Sequence, residues 1–246
     1  MHWPKQGETT VRRQFAVWAL TAAATLVGGC TTSVAGRAMP ADRSGGPARD
    51  PVAVSALEGL LLGVVEVNNA LGATSMRVWV TNKGMWDWSS GISDKNCLAV
   101  DGPAQEKVYS GTGWTAVRGQ RLDDSVNDSK KRDHYAIQAV VAFPSAHDAD
   151  AFYGSSVQSW SACSNRRFSD AVQGQPDTVW TVAGVTNDNG MLSTAEVQEG
   201  GDGWTCQRAL TVRNNVAVDV VTCAYSQAGT RAADIAGRIA AKVSQG

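Results

Sequence analysis

The sequence predicts an α+β fold, a mostly antiparallel β-sheet with packed α-helices, braced by two disulfides. Three observations carry that expectation. From 167 to 223, runs that alternate or are rich in β-branched residues are separated by turn segments such as "NDNG" at 187–190 and "GGDG" at 200–203, a meander signature. Apolar stripes at helical spacing occur at 56–71, from 145 to 163 and at 228–243. Once Cys30 is set apart, Cys97, Cys163, Cys206 and Cys223 remain, an even number in a chain that begins with an export-like segment.

In that opening segment, Lys5, Arg12 and Arg13 stand against Glu8, and 13 uncharged residues, Phe15 to Val27, follow. This is the layout of an export signal, and it is too short for the roughly 20 residues that cross a bilayer. Leu26, Val27, Gly28, Gly29 and Cys30 resemble the lipobox of bacterial lipoproteins, with Val27 where Leu is usual. That resemblance implies cleavage before Cys30 and acyl chains on it, making the membrane a partner; each buried methylene contributes about 0.8 kcal/mol. The competing reading is an ordinary signal peptide whose cleavage leaves a cysteine. "TTSVAGRAMPADRSGGPARDP", Thr31 to Pro51, has no hydrophobic period and reads as a flexible stalk. The expected organisation is thus signal peptide 1–29, lipidated stalk 30–54 and one folded domain 55–246.

Within the domain, Leu57, Leu60, Leu61, Val64 and Val65 predict one amphipathic helix over 56–71. The loop-rich stretch 72–135 offers strand-like pieces at 77–80, 97–100 and 106–110. "YAIQAVVAF" at 135–143 reads as a strand. Ser145 with Asp148 resembles a capping box, so a helix starts there, with Ala149, Phe152, Tyr153, Ser156, Trp160 and Cys163 on one face. Strands are then expected at 167–173, 178–185 and 190–198. The last helix has Ala232, Ile235, Ile239 and Val243 inside and Arg231, Asp234, Arg238 and Lys242 outside.

Asn214 and Asn215 tolerate the positive φ of a two-residue hairpin turn between strands 206–213 and 216–223. With that turn, Cys206 lies opposite Cys223 at a non-hydrogen-bonded position, where Cα atoms are about 4.5 Å apart. A bridge fits that spacing, leaving Cys97 with Cys163 by elimination. No two Cys-x-x-Cys pairs exist, and the histidines are scattered, so neither a metal site nor a cofactor is expected.

Removing residues 1–29 leaves 19 basic and 22 acidic residues. No basic patch with interleaved aromatics points to nucleic acid; "KKR" at Lys130 to Arg132, flanked by acids, reads as a solvated loop. Neither a Gly-x-Ser-x-Gly elbow nor a Ser-x-x-Lys set is present. His134 and His147 read as surface residues, and Asp123 and Asp124 as a solvated pair rather than an acid/base pair.

"VVAFPSAHDADAFYGSSVQSWSAC" and "WTCQRALTVRNNVAVDVVTCAYSQAGTRAADIAGRIAAKV" resemble the PknH-like extracellular sensor domain of actinobacterial, chiefly mycobacterial, proteins. The resemblance covers about 55 to 244. It implies an antiparallel sheet flanked by helices, two disulfides and an open ligand cleft, here as a stand-alone lipoprotein. It brings no catalytic residues, and the sequence has no "HRD" or "DFG" of a kinase. Trp160 and Trp180 read as core. Trp86, Trp88 and Trp114, in the loop-rich stretch, are candidate ligand contacts, or else cover the core under long loops. The expected function is a non-enzymatic envelope lipoprotein binding a small molecule, glycan or envelope protein; a hydrolase with an unrecognised site and a structural adaptor are the alternatives.

Overall fold

The computed structural model describes residues 50–126, 131–172, 174–225 and 229–245. The export segment, Cys30, the stalk up to Arg49, and Asp128 and Lys130 lie outside the described residues.

The nine strands described are β1 (Arg77–Asn82), β2 (Ala116–Asp123), β3 (His134–Ala142), β4 (Arg167–Asp170), β5 (Thr178–Val182), β6 (Thr186–Asp188), β7 (Met191–Gln198), β8 (Trp204–Arg213) and β9 (Val216–Tyr225). They form one antiparallel sheet in the order β1-β2-β3-β9-β8-β7-β5-β4, with β6 paired to β7. The helices are α1 (Leu57–Leu60), α2 (Val64–Leu71), α3 (Leu98–Asp101), α4 (Glu106–Tyr109), α5 (Ala146–Cys163) and α6 (Arg231–Gln245).

Because strand side chains alternate in direction, β9 feeds both faces. Val216, Val218 and Val220 meet Leu57, Leu71, Ile235 and Ile239 of α1, α2 and α6. Ala217 joins Val141, Leu210 and Val212 under Tyr109, Phe152 and Trp160 of α4 and α5. Burying each large apolar side chain contributes roughly 1.5–3 kcal/mol, so these two layers dominate the fold's stability.

The hairpin expectation holds to the residue: Cys206 pairs with Cys223 across β8 and β9 and is bridged to it, Cα atoms 4.0 Å apart. Cys97–Cys163 is the second disulfide and ties the end of α5 to the turn before α3. Ser145 caps α5 by accepting from the Asp148 N–H at 3.2 Å.

Several expectations are corrected. The predicted helix 56–71 breaks at Leu61–Gly63, because Gln138 of β3 bonds both the N–H (2.9 Å) and the C=O (2.8 Å) of Leu62. The break shifts the phase: Val65 is 72% exposed, while Val67 and Leu71 are buried. Segments 97–100 and 106–110 are helical turns, α3 and α4, instead of strands. The first follows a turn capped by Asp94, and Arg208 takes the Ala99 and Val100 carbonyls. Strand β2 was not foreseen. The runs expected at 167–173 and 178–185 end as strands at Asp170 and Val182. Within the segment expected as stalk, the described residues 50–54 touch the sheet: Asn214 Nδ2 donates to the Asp50 carbonyl at 2.6 Å, and Asn215 bonds Val52.

Candidate ligand cleft

Helices α3 to α5 pack over one part of the second sheet face. Over the remaining part, Ile137, Val221 and the Cys206–Cys223 disulfide form a separate apolar cluster, with Trp86, Trp88, Tyr135, Trp180 and Trp204 packed against it. Here lies a cleft of about 470 Å³ whose floor is that disulfide with Val221. Its walls carry Trp88, Tyr135, Trp180 and Trp204.

Two glycines set the tryptophans of the loop after β1. A Cβ on Gly102 would stand 2.1 Å from the Trp88 ring, and one on Gly119 2.4 Å from the Trp86 ring, so only glycine admits these rings. Gln105 fixes the backbone beneath them, its Oε1 accepting from the Trp88 N–H at 2.8 Å. On the opposite wall, Trp180 Nε1 donates to Thr178 Oγ1 at 3.2 Å, and Trp204 meets Tyr225 edge-on at 4.9 Å.

Asp101, Asp170 and Glu196 bring carboxylates to this cleft. Glu196 is 2% exposed, and its Oε2, like Asp101 Oδ2, is buried with no hydrogen-bond partner among the described residues. Burial, then repulsion from Asp170, pushes Asp101 up to about 7 against the opposing pull of Arg208. Burial, reinforced by Asp101 and Asp170, pushes Glu196 well above the usual carboxylate range. Asp170 is raised by burial and by Asp177. Burial lifts the Tyr135 phenol to about 12.

Of the predicted contacts, Trp88 lines the cleft. Trp86 lies beside the floor cluster, seated on Gly119. Trp114 is not among the residues that line the cleft; it packs against the core of the second sheet face. Trp180, expected as core, is a wall of the cleft. Sequence reasoning missed Trp204, Asp101 and Glu196. For Glu196 a signal existed: in "MLSTAEVQ" it shares alternation with Leu192 and Thr194, and all three are buried.

Arg132, read as part of a solvated loop, also reaches the cleft; its guanidinium lies 4.7 Å from the Tyr135 ring centre and 3.7 Å from Asp123. Asp123, read as solvated, is 1% exposed because it closes the newly found β2. His134 is not a loop residue: it opens β3, with Nδ1 2.7 Å from Asp124 Oδ2. Burial alone would raise Asp124, but hydrogen bonds from His134 and Asp133 hold its carboxyl below the usual range. Among the described residues no hydroxyl or thiol completes this pair into a triad; His134 bonds Asp124 and the backbone of the sheet. His147 is exposed in the first turn of α5, as expected.

A larger hollow of about 600 Å³ lies along α3, α4 and α5. Its Lys95 is already bonded to the Ser89 and Ile92 carbonyls, and none of the orphaned buried oxygens described faces it.

A family model described as the PknH-like extracellular domain matches residues 52–242, so the chain belongs to a family of extracellular domains. The particular relatives are longer proteins. The chain is 37% identical over 194 residues to serine/threonine-protein kinase PknH of Mycobacterium tuberculosis (strain H37Rv), covering 78% of this chain and 29% of that protein. With the Mycobacterium bovis protein of the same name it is 37% identical over 196 residues, 79% of this chain and 32% of that one. It therefore spans less than a third of the length of the curated relatives it matches. The crystal structure of the extracellular domain of PknH from M. tuberculosis superposes with a TM-score of 0.75 at 35% identity, covering 80% of this chain and 99% of that one.

Proposed function

We propose that this chain is a cell-envelope lipoprotein, anchored through Cys30, whose PknH-like extracellular domain is a non-catalytic, sensor-type module that takes a small extracellular ligand. The observation that carries this reading is the aromatic-walled cleft laid over the Cys206–Cys223 disulfide. Such a concave, mostly apolar site with a few polar groups is the form small-molecule sites take. The lipobox resemblance at Cys30 supports the anchor, and membership in an extracellular-domain family supports export. Phosphotransfer, the activity in the relatives' names, is not proposed here.

Native mass spectrometry of the protein purified from its own envelope tests the binding role. A bound mass that disappears in Trp180→Ala is expected. An empty protein that instead crosslinks to one stoichiometric envelope protein would replace the ligand-binding reading with an adaptor.

A further inference from the structure

The two orphaned carboxylate oxygens say more about the occupant. Burying a carboxylate without a partner is costly, and the cost is relieved by protonation or by a matching cation. The protein's own cations are committed elsewhere. Arg208, whose charge acts on both Asp101 and Glu196, donates to the Ala99, Val100 and Val220 carbonyls and to Asp219 Oδ1 at 2.8 Å. Arg132 lies against Tyr135 and Asp123. None of Asp101, Asp170 and Glu196 has an ion-pair partner among the described residues. Nor do three metal-binding side chains converge anywhere among the described residues, so a bare metal ion does not fit. The cleft these acids line is also lined by Trp88, Tyr135, Trp180 and Trp204, and indole and phenol faces attract organic cations.

We infer that the cleft selects an organic cation, a molecule whose ammonium group sits at Asp101 and Glu196 while its hydrocarbon part lies against the Trp88, Trp180 and Trp204 rings. This rests on the cleft being a ligand site, as proposed above. Anions are disfavoured by the four acids that line the cleft, Asp87, Asp101, Asp170 and Glu196. A neutral sugar can accept hydrogen bonds from protonated carboxyls or donate them to ionised ones, whereas a cation requires the ionised form. Comparison with uncharged counterparts, together with the pH dependence, separates the two. Asp101 titrates at about 7, so a ligand that needs it ionised binds roughly tenfold more tightly at about pH 8 than at about pH 6. Burial raises Glu196 and Asp170 in the same sense, while Asp87, lowered by its bonds from Ser89, and Tyr135, raised by burial to about 12, titrate outside that interval; Arg132 is the cation at the same rim.

The test uses the full chain in an uncharged detergent, with cadaverine as probe, pentanediol as its uncharged counterpart and cellobiose as a neutral sugar, read by tryptophan fluorescence and by calorimetry in two buffers. Cadaverine alone is expected to bind, with proton release and the stated rise in affinity. Glu196→Gln should weaken it roughly tenfold or more, and Asp101→Asn should flatten the pH profile while both variants keep the wild-type circular dichroism. Cellobiose or pentanediol binding as tightly as cadaverine, or cadaverine binding unchanged in Glu196→Gln, would overturn the inference and leave the cleft as a ligand site. If no probe binds and the envelope-purified protein carries a neutral or anionic mass, the cation inference alone falls. If that protein is also empty, both readings fall.

Discussion

Arg208 of β8 and Asp219 of β9 form an ion pair of 2.8 Å in the protein interior, their side chains 0% and 6% exposed. Asp219 Oδ2 also accepts from the Ala104 N–H at 2.9 Å and from the Tyr109 hydroxyl at 3.1 Å. Arg208 holds the carbonyls of α3. The pair therefore staples the α3–α4 segment, with Asp101 at its edge, onto the sheet. Asp219→Ala leaves a buried guanidinium, a hydroxyl and an amide without their acceptor, and should cost about 3–5 kcal/mol. Urea unfolding measures this; a loss below about 1 kcal/mol would mean the segment is held by packing alone.

The two disulfides should differ in worth. Cys97–Cys163 closes a separation of 66 residues and Cys206–Cys223 one of 17. Chain entropy then assigns about 4 kcal/mol to the first and about 3 to the second. Paired Cys→Ala variants, compared by denaturant midpoint, should follow that order. The hairpin pair should in addition change ligand affinity, because it floors the cleft.

Gly102→Ala should move a tryptophan. The new methyl would meet the Trp88 ring, and displacing it should cost about 1–3 kcal/mol. Gly154, inside α5 with open space where a Cβ would stand, is the control. Gly154→Ala should be stabilising by roughly 0.5–1 kcal/mol. Emission spectra distinguish the two, since only Gly102→Ala should shift the fluorescence of the cleft; equal spectra would show that the ring does not need the glycine.

The orphaned acids predict an unusual pH dependence. Asp101 and Glu196 have folded pKa values above their unfolded ones, so the native state binds more protons in between. Their contribution is complete below the unfolded pKa and is lost as pH rises, for Asp101 through about 7. Lowered carboxylates such as Asp124 act oppositely, and only at acid pH. Thermal unfolding of the ligand-free protein should thus show Tm falling between about pH 5 and about pH 8, with a shallower slope in Asp101→Asn. A Tm that rises over this interval would contradict the burial of these groups.

Cys30→Ala should release a folded, still doubly bridged protein from the membrane fraction, since the four other cysteines pair among themselves. Thiol counting and fractionation check this. Scrambled disulfides in that variant would return Cys30 to the folding core.

Much of the architecture was legible because it is local. The alternation of β7 to β9, the Asn214–Asn215 turn and the Ser145 cap each depend on residues within a few positions, and they set strand register, the Cys206–Cys223 bridge and the start of α5. The α3–α4 segment was illegible for the opposite reason. Its helical turns are held by Arg208 and Asp219, more than a hundred residues away. Likewise β2 carries Arg118, Gly119 and Arg121, a poor strand pattern rescued by flanking strands on both sides.

The sequence by itself determined the sheet-and-helix class, the hairpin register and both disulfides, which follow from periodicity, turn chemistry and counting, and it carried the family through a resemblance that the comparison with relatives bears out. Only the tertiary structure decided which tryptophans share a cleft, and that two acids on distant elements, Asp101 of α3 and Glu196 of β7, both line it while each keeps one buried oxygen unpartnered among the described residues. The reason is that a side chain's charge state and neighbours are set by burial and by long-range packing, which no short stretch of sequence encodes.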